Sequence, residues 1–351
     1  MEFAEIVHKI KSPDKNLEQE AQKKMDAKTK PLGSLGSLER VAVKMAVIQH
    51  DLNPTIRKKG MFVFAGDHGI TAEMVSAYPA AVTAQMVLNF INGGAAINAL
   101  CRHNEIELAV VDMGVNFDFN QNPGIIDKKV AYGTRNFAHE PAMSREQARQ
   151  ALQNGADVFS QMYATRKFDI AGVGDMGIGN TASASAIIAA ATGEDPGHTT
   201  GRGTGIGDEA LSRKIEIIRA ALRLHKIDRR DPLDILCKVG GFEIAGISGA
   251  VLASAAQGIP IVIDGVIAAA GALIASLFSP LVKEYVFAGH KSAEKGHLVA
   301  LSFMGLEPLL DLQMRLGEGT GAALAIHLID SACRIMREMA SFSDAGVETA
   351  L

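Results

Sequence analysis

Three glycine-rich segments hold most of the residues whose types and spacing can do chemistry. The first, Gly174-Asp175-Met176-Gly177-Ile178-Gly179-Asn180-Thr181, stands between a short apolar run and an alanine-rich helix, Ala182 to Ala191, with Asn180 or Thr181 available to cap it. Glycines let a backbone approach a ligand closely, and the free N–H groups of a helix's first turn present partial positive charge to an anion. Phosphate binding suits this pattern, with a plain tight turn as the alternative. The segment is not a Walker A loop, since no GK[ST] follows, and a ribose-binding acid about 20 residues on is not evident. The second segment, Gly201-Arg202-Gly203-Thr204-Gly205-Ile206-Gly207, precedes a helical stretch that carries Lys214. That lysine either offers a point charge to a phosphate or is solvated surface, as most lysines are. The third, Leu316-Gly317-Glu318-Gly319-Thr320-Gly321, sets a carboxylate among glycines just before an apolar helix, Ala322 to Ile335. Glu318 is then either a first-turn acid complementing the helix dipole or a general base whose apolar neighbours raise its pKa.

Other reactive types carry less. Asp67-His68 invites a metal reading, yet no HExxH motif or second histidine stands at ligand spacing, and a positioning role or a hydrogen-bonded structural pair fits better. His290, in AGHKSAE, calls for the same reading. No GxSxG elbow is present, which leaves covalent hydrolase chemistry little support. Cys101, Cys237 and Cys333 are odd in number, far apart and without CxxC spacing, which argues for reduced, buried thiols.

Elements that position these loops are legible in outline. Residues 16–30 read as a polar amphipathic helix, and Leu35 to His50 as a helix behind Ser34 or Ser37 as caps. Short apolar runs at 61–65, 107–112, 168–173, 259–264 and 284–289 then alternate with helical stretches, the signature of a parallel sheet with crossover helices. Open α/β sheets bind ligands beyond the carboxyl ends of their strands, so the glycine-bearing loops after 61–65, 168–173 and 259–264 should build the site. Residues 193–208 form a long polar, glycine-rich connection.

The 35 basic and 39 acidic residues nearly balance and no basic stripe appears, so the footprint of a nucleic-acid binder is missing. A small-molecule partner is expected. The charged opening residues do not read as a secretory signal, which predicts a cytoplasmic protein. Ile247 to Phe278 is mostly apolar but broken by Gln257, Pro260 and Asp264 into runs shorter than the roughly 20 residues a bilayer needs. It is expected to be buried helix, strand and helix.

Eight blocks together carry a resemblance: KPLGSLGSLE at 30–39, AGDHGI at 65–70, SAYPAAVTAQMV at 76–87, GDMGIGNT at 174–181, GRGTGI at 201–206, VGGFEIAG at 239–246, AGHKSAE at 288–294 and RLGEGTGAAL at 315–324. In this order, over almost the whole chain, they resemble the nicotinate-nucleotide:dimethylbenzimidazole phosphoribosyltransferase family of cobalamin biosynthesis. The resemblance implies a Rossmann-like parallel sheet flanked by helices, with a smaller helical domain from the terminal segments. Residues 1–58 and 306–351 would form the small domain and 59–305 the large α/β domain. It also implies a homodimer, no cofactor and no metal. The activity implied is transfer of ribose 5-phosphate from nicotinate mononucleotide to 5,6-dimethylbenzimidazole or a related base.

By the same resemblance Glu318 is the base, and Asp175 and Lys214 lie near the ribose phosphate with Gly177, Ile178, Gly179, Asn180, Thr181 and Gly203. The aromatic acceptor lies against Ser76, Tyr78, Met86, Met176 and Leu316. Two positions depart from the family pattern: glutamate is commoner where this chain has Asp175, and a charged residue where it has Ala81. An NAD-linked oxidoreductase would need a dinucleotide fingerprint where this chain has AGDHGITAE, and a non-catalytic sensor would be expected to lack Glu318.

Overall fold

The computed structural model describes residues 2–348. Seven strands form one all-parallel sheet: β1 Lys59–Gly66, β2 Ile106–Gly114, β3 Ile125–Asp127, β4 Ile170–Met176, β5 Ile261–Ile263, β6 Val286–His290 and β7 Pro308–Leu310. Their order is β3-β2-β1-β4-β5-β6-β7, so the strand order reverses between β1 and β4. The α/β, Rossmann-like expectation holds. Each of the five apolar runs lies within or overlaps a strand; β3 and β7, the edge strands, were not anticipated.

Alternation along β1 shows why both faces must be covered. Phe62 and Phe64 point to one core, with the helices Arg145–Arg166, Asn180–Thr192, Phe242–Ala256 and Val266–Phe278. Met61, Val63 and Ala65 point to the other, with Ser37–Gln49, Ala96–His103 and Thr320–Glu338. The apolar stretch 247–278 is helix, β5 and helix, as expected, and buried almost throughout. Among the described residues no helix is long and apolar enough to cross a membrane.

Local expectations fail where distant chain or glycine takes over. The helix expected over 16–30 is a turn, Lys15–Leu17, and a helix, Glu18–Asp26, that stops early. Beyond it the backbone is claimed from afar: Lys28 bridges Ser341, and Thr29 N–H donates to Ala340 O at 3.1 Å. The helix Ser37–Gln49 is preceded by Gly36 in a left-handed conformation, φ 57°, and neither Ser34 nor Ser37 caps it. Glu39 ties the turn instead, accepting from Leu35 N–H at 2.9 Å and pairing with Lys30 Nζ at 2.8 Å. The connection 193–208 contains a short helix, Pro196–Thr199, capped by Asp195.

Candidate active site

A cleft of about 470 Å³ opens over the carboxyl ends of β4, β5 and β6, the end of the sheet at which α/β folds bind ligands. Its floor is the loop that leaves β4. Gly179, at φ 92°, starts the helix Asn180–Thr192, and no side chain caps that helix. The expected capping by Asn180 or Thr181 does not occur because both side chains are engaged elsewhere. Asn180 Nδ2 donates to Asp175 Oδ2 at 2.8 Å, and Thr181 Oγ1 accepts from Lys214 Nζ at 2.7 Å. The positive end of the helix therefore remains available to an anion.

Lys214 is not solvated surface. It is buried on the helix Asp208–His225, and burial lowers its pKa to about 8, opposed by the charge of Glu294. Glu294 also pins the second glycine loop by accepting from Gly203 N–H at 2.8 Å, while Arg315 Nη1 donates to Gly203 O at 3.1 Å. Thr204 closes that loop onto the 76–80 segment, accepting from Ala77 N–H at 2.9 Å with Ser76 Oγ 3.1 Å away.

Two carboxyls approach the cleft with altered acidity. Asp175 is held well above the usual carboxylate range by burial, then by the charges of Asp264 and Glu243; the Asn180 hydrogen bond opposes and Glu318 adds to the rise. Glu318 is also raised, by burial first, with the Ile97 N–H acting against it at 3.4 Å and the Asp264 charge acting with it. Its backbone is left-handed at φ 64°, a conformation that costs a non-glycine residue about 1–2 kcal/mol. Gly174 explains how this loop sits so close to β4. A Cβ there would fall 2.1 Å from Gly319 N, so any side chain would push the Glu318 loop off the sheet.

Below the cleft His68 Nε2 and Glu243 Oε1 lie 2.6 Å apart, fully buried, and Asp67 Oδ2 accepts from Asn116 N–H at 2.8 Å. Asp67 and His68 are thus each tied to distant chain.

A family model described as phosphoribosyltransferase matches residues 10–347. A nicotinate-nucleotide–dimethylbenzimidazole phosphoribosyltransferase of Geotalea uraniireducens is 54% identical, covering 98% of this chain and 97% of its own. One of that name from Geobacter metallireducens is 52% identical, covering 99% and 98%. The chain belongs to the nicotinate-nucleotide–dimethylbenzimidazole phosphoribosyltransferase family. A crystal structure of CobT from Thermus thermophilus superposes on it with a TM-score of 0.91 at 43% identity, over 95% of this chain and 100% of that one.

Within this phosphoribosyltransferase fold, Tyr78, Asp175, Met176, Gly177, Ile178, Asn180, Thr181, Gly203 and Leu316 line the cleft. Ser76, Met86, Gly179, Lys214 and Glu318 are not part of that lining, and Met86 is half-buried against the sheet's second core. Ala81 is exposed beside the helix Val82–Ile91. The cleft also takes in Thr204, Ser292, Glu294 and Arg315, which local spacing did not single out. Glu294 and Arg315 lie in blocks that carry the family resemblance, and that was the available signal.

Proposed function

We propose that this phosphoribosyltransferase moves ribose 5-phosphate from nicotinate mononucleotide to 5,6-dimethylbenzimidazole or a related base, giving the α-ribotide and nicotinate. The observation that carries the reading is Glu318: a buried carboxyl of raised pKa, held in a glycine frame next to Gly317, which lines a cleft whose floor is an uncapped helix N-terminus.

The leaving ring of the nucleotide is a pyridinium, which departs neutral and requires no general acid. Three tasks remain: to anchor the phosphate, to align the incoming nitrogen on the opposite face of the sugar, and to remove that base's N–H proton. The amides after Gly177 and the Lys214 ammonium suit the first, with Thr181 and Gly203 beside them. Tyr78, Met176 and Leu316 offer an apolar wall for the second, backed by Ser76 and Met86. Glu318 suits the third, because a raised pKa makes its carboxylate a better proton acceptor. Asp175, whose pKa burial raises, would offer a hydrogen-bonding carboxyl to the ribose. A single in-line displacement inverts the anomeric carbon, which turns a β-nucleotide into an α-ribotide.

The terminal segments, 1–58 and 306–351, are proposed as a small domain beside the large one, 59–305; the Lys28–Ser341 bridge ties them to each other. Family likeness supports a cytoplasmic homodimer. The reaction is tested by incubating the protein with nicotinate mononucleotide and dimethylbenzimidazole and following nicotinate release. Glu318→Gln should keep the fold and nucleotide affinity and lower turnover about 100-fold to 10,000-fold. Parental turnover in that variant would refute the assignment.

A further inference from the structure

Asp264 lies wholly buried just beyond β5, and the proposed chemistry gives it no part. Its carboxylate is committed to one stretch of backbone. Oδ2 accepts from Gly319 N–H at 3.0 Å; Oδ1 accepts from Gly321 N–H at 2.7 Å and from Ala322 N–H at 3.3 Å. The first of these belongs to the peptide that leaves Glu318, and the others open the helix Thr320–Glu338. His290 packs against Gly321, its Nε2 3.4 Å from Oδ1. The chain that Asp264 holds is unusual: Gly317, Glu318 and Gly319 are consecutive left-handed residues, with φ of 84°, 64° and 90°. Glu318's own carboxylate accepts one long bond, from Ile97 N–H at 3.4 Å. A side chain with so little to hold it takes its direction from its backbone, and that backbone is fastened to Asp264.

We infer that Asp264 is the positioning residue for Glu318, fixing the direction of its carboxylate through the Gly319 and Gly321 amides and setting a negative charge beside it. The inference rests on the reading of Glu318 as the base. An amide cannot do the same work: asparagine has one accepting atom at its tip, so either way round its nitrogen meets a backbone N–H. Asp264→Asn therefore removes an anchor with almost no change in volume.

The groups facing Glu318 set the expected pH dependence. Asp264 follows β5, Asp175 lies near the end of β4, His290 ends β6 beside Asp264, and the helix Ala96–His103 presents the Ile97 amide. Loss of the Asp264 charge stabilises the Glu318 carboxylate, so the acidic limb of kcat should move to lower pH.

The test compares Asp264→Asn, Glu318→Gln and the double variant for nicotinate release across pH, with melting curves and calorimetric binding of nicotinate mononucleotide as controls. Asp264→Asn should lower kcat about 100-fold, the scale of a small misplacement, with KM for the nucleotide near parental. The double variant should be no slower than Glu318→Gln, because a residue that acts through Glu318 has nothing left to act on. Losses that multiply in the double variant, or an acidic limb that stays in place, would overturn the inference. Asp264→Glu keeps the charge but shifts the acceptors, so it should lower kcat without moving the limb. If the asparagine variant does not fold, parental kcat in Asp264→Glu is the overturning result. A parent that releases no nicotinate, or a fully active Glu318→Gln, removes the base reading and this inference together. An active parent, a Glu318→Gln slowed by the expected factor and multiplying losses remove the inference alone.

Discussion

Replacing Lys214 with methionine should make the empty enzyme more stable while it loses its grip on nucleotide. The pKa of Lys214 falls from 10.5 to about 8 because the ammonium is buried. At 1.36 kcal/mol per unit, that shift corresponds to a folding penalty of about 3 kcal/mol while the group is charged. Below pH 8 both folded and unfolded chains carry the proton, and the penalty is felt in full. Between pH 8 and 10.5 the unfolded chain binds more protons than the folded one, so this group's contribution to stability rises with pH and the penalty fades. Methionine has no charge to bury but gives up the bond to Thr181 Oγ1, worth about 1 kcal/mol. The net expectation is a gain of about 2 kcal/mol at pH 7, roughly 3 °C in Tm for a chain of this size, vanishing by pH 10. Binding moves the other way. A charge-assisted bond to the phosphate is worth about 1.5–3 kcal/mol, so affinity for nicotinate mononucleotide should fall about 10-fold to 150-fold, with the neutral base unaffected. Thermal melts at both pH values and calorimetry at pH 7 measure the two effects. A lower Tm at pH 7, or parental affinity for the nucleotide, would refute the reasoning.

Two further outcomes probe the floor and the wall of the cleft. A Cβ at Gly177 would stand 2.3 Å from Gly66 O, so Gly177→Ala should splay the ends of β1 and β4, costing about 1–3 kcal/mol and most of the nucleotide affinity; parental melting and calorimetry would count against it. A wall of Tyr78, half-buried Met176 and Leu316 is adaptable, and a methyl group is worth only about 1–3 kcal/mol of discrimination, so benzimidazoles with and without methyl or hydroxyl groups should all react. Phenols such as p-cresol should react more slowly, since they must lose a proton before the oxygen attacks well. Competition assays decide this: Tyr78→Ser should alter the preferences more than Met86→Gln, and strict selectivity unchanged by Tyr78→Ser would show that the wall is misplaced.

What the sequence showed and what it hid divide along physical lines. The long strands β1, β2 and β4 stood out because each is a run of buried apolar residues followed by glycine. β3 and β7 are three residues long and lie at the sheet's edges, half-buried or exposed, too short for any period to register. Ser34, Ser37, Asn180 and Thr181 do not cap because glycines of positive φ at 36 and 179 start those helices, while Ser37 accepts from Arg40, Asn180 donates to Asp175 and Thr181 accepts from Lys214. Lys214 could not be told from surface by spacing, because its burial depends on Thr181 and Glu294, which lie far along the chain. The pairing of His68 with Glu243 is likewise invisible until β1 and the helix Phe242–Ala256 are brought together.

The parallel sheet also bears on how the chain refolds. Lys59 of β1 pairs with Ile106 on one side and Ile170 on the other, so neither partner is within reach of a short hairpin. Parallel pairing requires long loops to close before hydrogen bonds reward them, and topologies of this kind fold slowly. β1 must therefore wait for chain far along the sequence, and Gly174 waits longer still for Gly319. A collapsed chain in which β1, β2 and β4 have joined before the Gly319 segment docks would hold the proposed phosphate floor and lack the proposed base. During renaturation, recovery of nucleotide affinity should precede recovery of turnover.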